Sequence, residues 1–217
     1  MAAVQDLLVR VEALEKYRHG GVNPDGSMRR AREAVELKHS IYSAVWKFVP
    51  EPYYTWPLEE RAKCLGASSV QCLCKSLLME NRKAPDLKND DPTYPKFVLV
   101  VIQYAATLDV KKLATSVRAL RDAKNRLDAT EFDFRIASEA DNSRITGYQH
   151  NSVTPFGLLH PVPIIVSSEL EPLRFFWMGG GHVHLKLGMA FTDFCRALNP
   201  IVADISQPRT TLEGIDD

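Results

Sequence analysis

Phe97-Val98-Leu99-Val100-Val101-Ile102-Gln103-Tyr104 holds no polar residue before Gln103. A half-buried strand alternates apolar with polar residues, whereas this run is continuous and of strand length, which predicts a central strand covered on both faces. Upstream, Asn81 to Lys96 carries three prolines and many charges and reads as an exposed insertion. Before it, Val70 to Met79 reads as a short helical turn running into a strand, and Pro57, Glu59, Glu60 and Gly66 carry the start and stop signals of a helix.

Downstream, Asp109 is placed to cap a helix to about Ala123, and Phe132, Phe134 and Ile136 alternate as in a half-buried strand. Ser138 opens a helical turn, and Gly147 to Gly157 reads as a loop. Strands are expected at Val162 to Val166, Arg174 to Met178, Val183 to Leu187 and Ile201 to Ile205, with a helix from Thr192 to Leu198. Helices and strands intermix without regular alternation, so the fold class is α+β: a mixed, barrel-like sheet with flanking helices. Residues beyond Gln207 read as a disordered tail, residues 207–217, after a main domain over residues 51–206.

The first 50 residues read as an N-terminal helical hairpin outside that pattern. Val4, Leu7, Leu8, Val11 and Leu14 lie at helical spacing, the turn Asn23-Pro24-Asp25-Gly26 follows, and Ser27 is placed to cap a second helix to about Phe48. The heptad-like spacing lasts about two repeats, which favours packing on the domain over a coiled coil.

With 217 residues and 45% hydrophobic content, the chain can bury a substantial core. Lys plus Arg equal Asp plus Glu at 27 each, so no global field draws it to nucleic acid. The clusters Arg29, Arg30, Arg32 and Lys111 to Arg126 read as solvated helix faces. Four cysteines, no signal-peptide pattern and no apolar run near the roughly 20 residues that span a bilayer point to a cytoplasmic protein without a membrane anchor.

Three features are placed to carry chemistry. Lys75, within Cys72-Leu73-Cys74-Lys75-Ser76-Leu77-Leu78-Met79, is either a lysine snorkelling from an apolar strand or a cation lining a pocket, where it would hold a phosphate or polarise an ester carbonyl. The loop Gly147 to Gly157 is rich in small polar residues that can present backbone N–H groups. Gly179-Gly180-Gly181 lies between two strands, either as a plain hairpin turn or as backbone that a ligand can approach closely. His182 and His184, read as sharing one strand face, suit a metal but have no evident third ligand. Neither a G-x-S-x-G elbow nor an H-E-x-x-H helix occurs.

Lys75, the Thr146-Gly147-Tyr148 to Pro155-Phe156-Gly157 loop and Gly179 to Gly181 occur in an order and spacing that resembles the YbaK-like family, which includes the editing domain of bacterial prolyl-tRNA synthetases and free-standing relatives. The likeness runs from about Tyr53 to Ile205. It implies hydrolysis of the ester in mischarged aminoacyl-tRNA, with Lys75 matching the essential lysine and Asn151, Ser152, Val153, Thr154 and Pro155 matching the substrate loop. Gly147, Gly157, Gly179, Gly180, Gly181 and His184 join the implied substrate-binding set. Asn151 and Ser152 stand where relatives often carry glycine, and His184 where many carry an acid, so the amino acid removed, alanine, cysteine or serine, stays open. The implied partners are the 3′ acceptor end of an aminoacyl-tRNA and a synthetase or multi-synthetase complex docking on the N-terminal helices, with no metal or other cofactor. A non-catalytic tRNA-binding or docking module of the same fold is the alternative.

Overall fold

A computed structural model describes residues 2–18, 25–85 and 91–209. In chain order the elements are α1 (Ala2–Arg18), α2 (Gly26–Glu33), β1 (Val45–Phe48), α3 (Leu58–Leu65), β2 (Cys74–Asn81), β3 (Phe97–Gln103), β4 (Ala106–Leu108), α4 (Val110–Arg118), β5 (Phe134–Ile136), α5 (Glu139–Thr146), β6 (Ile164–Ser167), β7 (Phe175–His182), β8 (Leu185–Ala190), α6 (Phe191–Leu198), β9 (Ile201–Ala203) and β10 (Ser206–Pro208).

Every residue of β3 is buried, as its continuous apolar run requires. It lies at the centre of the sheet β5-β2-β3-β6-β9, antiparallel to β2 and parallel to β6. Val98, Val100 and Ile102 face one core with Leu113 and Val117 of α4. Val101 faces another with Phe176 of β7, Leu187 of β8 and Phe194 of α6. A second sheet, β1-β8-β7, is antiparallel throughout, and β10 pairs with β4. A parallel bridge between Leu73 and Trp177 brings the two larger sheets together beside β2. The α+β class with a mixed sheet is as expected, but among the described residues the sheets do not close into a barrel.

Start and stop signals act where local chemistry places them. Asp109 caps α4 by accepting from the Lys111 and Lys112 amides, and Ser138 caps α5. Gly66 ends α3 in the left-handed region, at φ 71°. The expected helix to Ala123 instead stops at Arg118, and after Asp122 in an extended conformation a single 3₁₀ turn covers Ala123–Asn125.

The N-terminal expectation is corrected most. Asp25, not Ser27, caps α2, accepting from the Met28 amide. The helix passes into a π turn at Ala34–Lys38 and ends before Ser40, whose φ is 54°. Val45 to Phe48, read as helix, is strand β1 and pairs with β8 from Val45↔Gly188 to Phe48↔Leu185; its valine and aromatic residues suit a pleated surface. Residues 25–48 are thus built into the sheet. Nor does α1 bury its apolar row on the domain: Val4, Leu7 and Leu14 are 62%, 57% and 68% exposed, and an exposed Arg29–Glu15 ion pair of 2.7 Å links it to α2.

The C-terminal boundary also moves, because β10 reaches Pro208 and the Arg209 amide donates to the Ala105 carbonyl. The rest of the expected tail, residues 210–217, lies outside the described residues, as does the middle of the expected insertion, residues 86–90. Among the described residues no helix is long and apolar enough to cross a membrane.

Candidate functional site

β2 pairs with β3 over Cys74–Glu80 but with β5 only over Met79–Asn81, so the opposite edge of its first half faces a cavity of about 480 Å³. Cys74, Lys75, Ser76, Leu77 and Leu78 all line that cavity. One face of a strand would contribute alternate residues; five in succession mark an edge. The other walls come from the Tyr53–Tyr54 turn, Tyr104, the loop after α5, and Trp177 to Gly179 of β7.

Lys75 is half-buried, on the β2 face shared with Leu77 and Met79, with Nζ 5.3 Å from the centroid of the Tyr104 ring. A cation held over an aromatic face keeps its charge with less hydration. Its neighbour Cys74 has no part as a nucleophile, because complete burial pushes its thiol well above the ordinary range and Cys72 adds to the effect.

A second lysine, Lys186 of β8, enters from the opposite wall and is 5% exposed. Its ammonium bonds the Tyr54 hydroxyl, reaches the Val183 carbonyl at 3.3 Å, and lies 4.2 Å from the Tyr54 ring centroid. The Tyr54 hydroxyl in turn donates to the Asn151 carbonyl at 2.6 Å. A buried cation is therefore coupled through one phenol to the backbone of the loop. Asn151 holds a left-handed φ of 61°, a region that favours glycine and is tolerated by asparagine.

The loop divides into two sides. Asn151 and Val153 face the cavity, while Ser152, Thr154 and Pro155 are buried behind it, with Ser152 Oγ donating to the Gln149 carbonyl at 2.7 Å. Gly147 and Gly157 do not line the cavity but turn toward α2. Arg30 donates to the Gly147 carbonyl at 2.6 Å and the Gly157 carbonyl at 2.8 Å, with its guanidinium 4.6 Å from the Tyr148 ring centroid. The Tyr148 hydroxyl closes the loop on itself by donating to the Phe156 carbonyl at 2.6 Å. Burial raises that hydroxyl to about 12, so it stays a donor.

Gly179 to Gly181, read as a turn, belong to β7, which continues to His182 with an irregular register between Gly179 and His182. Gly179 lines the cavity, and a Cβ there would sit 2.3 Å from the Val153 carbonyl oxygen, so glycine lets strand and loop touch. Gly180 and Gly181 lie outside the lining, where Gly180 packs on Leu185 and the Gly181 carbonyl accepts from Ser27 Oγ at 2.7 Å. His184 is not in the cavity wall. It sits in the β7–β8 turn, and its amide donates to His182 Nδ1 at 3.2 Å. The two rings thus face across a turn rather than from one strand face, 5.5 Å apart, and among the described residues they join no group of three ligand-type side chains.

The structure brings Lys75, Asn151, Val153 and Gly179 to one cavity and places the other expected residues behind it. Lys186, Tyr54 and Ser76 escaped the sequence reading. Lys186 had the same signal as Lys75, a lysine between apolar neighbours in a strand; Tyr54 had none, since its role depends on contacts across the fold. Such a cavity can hold an anion or polarised carbonyl against two cations, align it by a backbone loop, and seat a planar group among tyrosines and Trp177.

A sequence model of the aminoacyl-tRNA editing domain matches residues 51–197. Among solved structures, a candidate trans-editing enzyme for prolyl tRNA synthetase is similar at 20% identity and a TM-score of 0.65, over 85% of this chain and 99% of that one. The hypothetical protein APE2540 is similar at 18% identity and a TM-score of 0.59, over 82% of this chain and 99% of that one. A scaffold protein from computational epitope backbone grafting is similar at 19% identity and a TM-score of 0.65, over 86% of this chain and all of that one. At these identities the likeness is one of fold. No curated protein sequence matches the chain.

Proposed function

The chain belongs to the aminoacyl-tRNA editing domain family, and from that premise we propose that it hydrolyses the ester of mischarged aminoacyl-tRNA in the cavity between β2 and the 147–157 loop. The observation that carries this reading is that Lys75 and the Asn151–Val153 segment line one cavity, with Lys186 entering from the far wall.

In this mechanism the 3′ end of the charged tRNA enters the cavity, Lys75 binds the terminal phosphate or the ester carbonyl, and the loop backbone orients the aminoacyl group. Water attacks the carbonyl carbon. The bond to the ribose oxygen breaks, that oxygen takes a proton, and the products are the free amino acid and uncharged tRNA. The ester is already activated, so positioning and charge stabilisation suffice. Editing of this kind serves synthetases whose pockets discriminate a methylene by only about 1–3 kcal/mol. The exposed apolar row of α1 supports docking to a synthetase as part of this reading.

The test is a deacylation panel with alanyl-, cysteinyl- and seryl-tRNA. Wild type is expected to release at least one amino acid, and Lys75→Ala to slow release about 100-fold or more, the cost of removing one charge-stabilising donor. Background release by both proteins would instead leave a binding module.

A further inference from the structure

Ser76 follows Lys75 on β2 but points the other way, to the face shared with Cys74 and Leu78. It lines the same cavity, is 8% exposed, and its Oγ has no hydrogen-bond partner among the described residues. A buried hydroxyl without a partner costs free energy comparable to a lost hydrogen bond, so its persistence at a cavity wall points to a ligand atom.

Its surroundings decide what kind of atom. Cys74 packs in the cluster that contains Met178, and Leu78 in the one that contains Val153; both partners also line the cavity. Burial holds the Cys74 thiol protonated, so this wall carries no negative charge from it. An α-ammonium group would lose its hydration against such a wall without a carboxylate to replace it. A phosphate or ester carbonyl is better served by the cation of Lys75 on the other face. A neutral hydroxyl gives up little hydration and can both donate to and accept from Ser76.

We infer that Ser76 Oγ is the specificity-determining contact for the side chain of the aminoacyl group, and that the charged tRNA cleared here bears a small hydroxyl-carrying amino acid, serine ahead of cysteine and alanine. This rests on the deacylase reading. It assigns Ser76 to selection and leaves Lys75 to the reaction. A thiol forms weaker hydrogen bonds than a hydroxyl and alanine forms none, which sets the order.

The experiment measures initial rates of release from seryl-, cysteinyl- and alanyl-tRNA by wild type, Ser76→Ala, Ser76→Thr and Lys75→Ala. Wild type is expected to favour serine over alanine about tenfold, Ser76→Ala to bring that ratio near one by losing serine activity, and Ser76→Thr to keep the preference by retaining the hydroxyl. The ratio is taken within one preparation, so partial misfolding lowers both rates and leaves it unchanged. A wild-type ratio near or below one overturns the inference, as does a Ser76→Ala ratio equal to wild type. Wild-type release that matches Lys75→Ala on every substrate removes the deacylase reading itself, and the inference with it.

Discussion

Lys186 is the residue whose placement asks most of the fold, because a lysine 5% exposed must replace its lost hydration with protein groups. The Tyr53 and Tyr54 ring faces, the Tyr54 hydroxyl and the Val183 carbonyl supply them. An ammonium donating to a phenol oxygen makes that phenol a better donor, here toward the Asn151 carbonyl, and so fixes the peptide that faces the cavity. Lys186 and Tyr54 are positioning residues in this scheme. Tyr54→Phe and Lys186→Met are each expected to lower kcat/KM about tenfold, the order of one charge-assisted hydrogen bond. The double variant should fall well short of the product of the two losses, because both act through one loop carbonyl. Fully multiplicative losses in a double-mutant cycle would mean that the two residues act separately.

At the scale of elements, α2 is the brace of the substrate loop. Arg30 holds the carbonyls of Gly147 and Gly157, the two ends of the loop, while Ser27 holds that of Gly181. Arg30→Ala is expected to cost about 2 kcal/mol, since two charge-assisted bonds to buried backbone are lost, and to speed hydrogen exchange at 147–157. Deleting residues 2–18 should leave the melting temperature nearly unchanged, because α1 is exposed along its length and its Arg29–Glu15 pair is a solvent-screened contact. A fall of several degrees on that deletion would show packing that the structure lacks.

The same contrast explains what the sequence made legible. β3, the caps at Asp109 and Ser138 and the stop at Gly66 rest on local periodicity or on one side chain bonding nearby backbone, and all were readable. β1 was not, because four residues after a helical pattern become a strand only through pairing with β8, far along the chain. Lys75 and the loop were legible as a site. The division of the loop into a cavity side and a side held by Arg30 depends on tertiary contacts that no spacing encodes.

For the molecule as a whole, pH acts through groups held away from their ordinary values. Burial lowers His182, with His184 and Lys186 adding to the effect and Asp25 opposing it, and burial likewise lowers His39 beside Phe156. The unfolded chain therefore binds more protons than the folded one just below the ordinary histidine value of about 6.5, and stability must fall as pH drops through that region to the depressed folded values. Below them both states are protonated and this loss levels off. A second loss begins only in acid, where Asp91, lowered by its bonds to Thr93 and Arg121, and Asp141, lowered by Arg144 and Ser138, take up protons. Those carboxylates stabilise the fold above an unfolded value of about 3.9 and cease to do so as pH falls through their lower folded values. Melting temperatures taken from pH 8 to pH 3 should show two descents separated by a shoulder. His39→Gln with His182→Gln should remove the upper descent and leave the lower, whereas an upper descent that survives the double replacement would assign it to other groups.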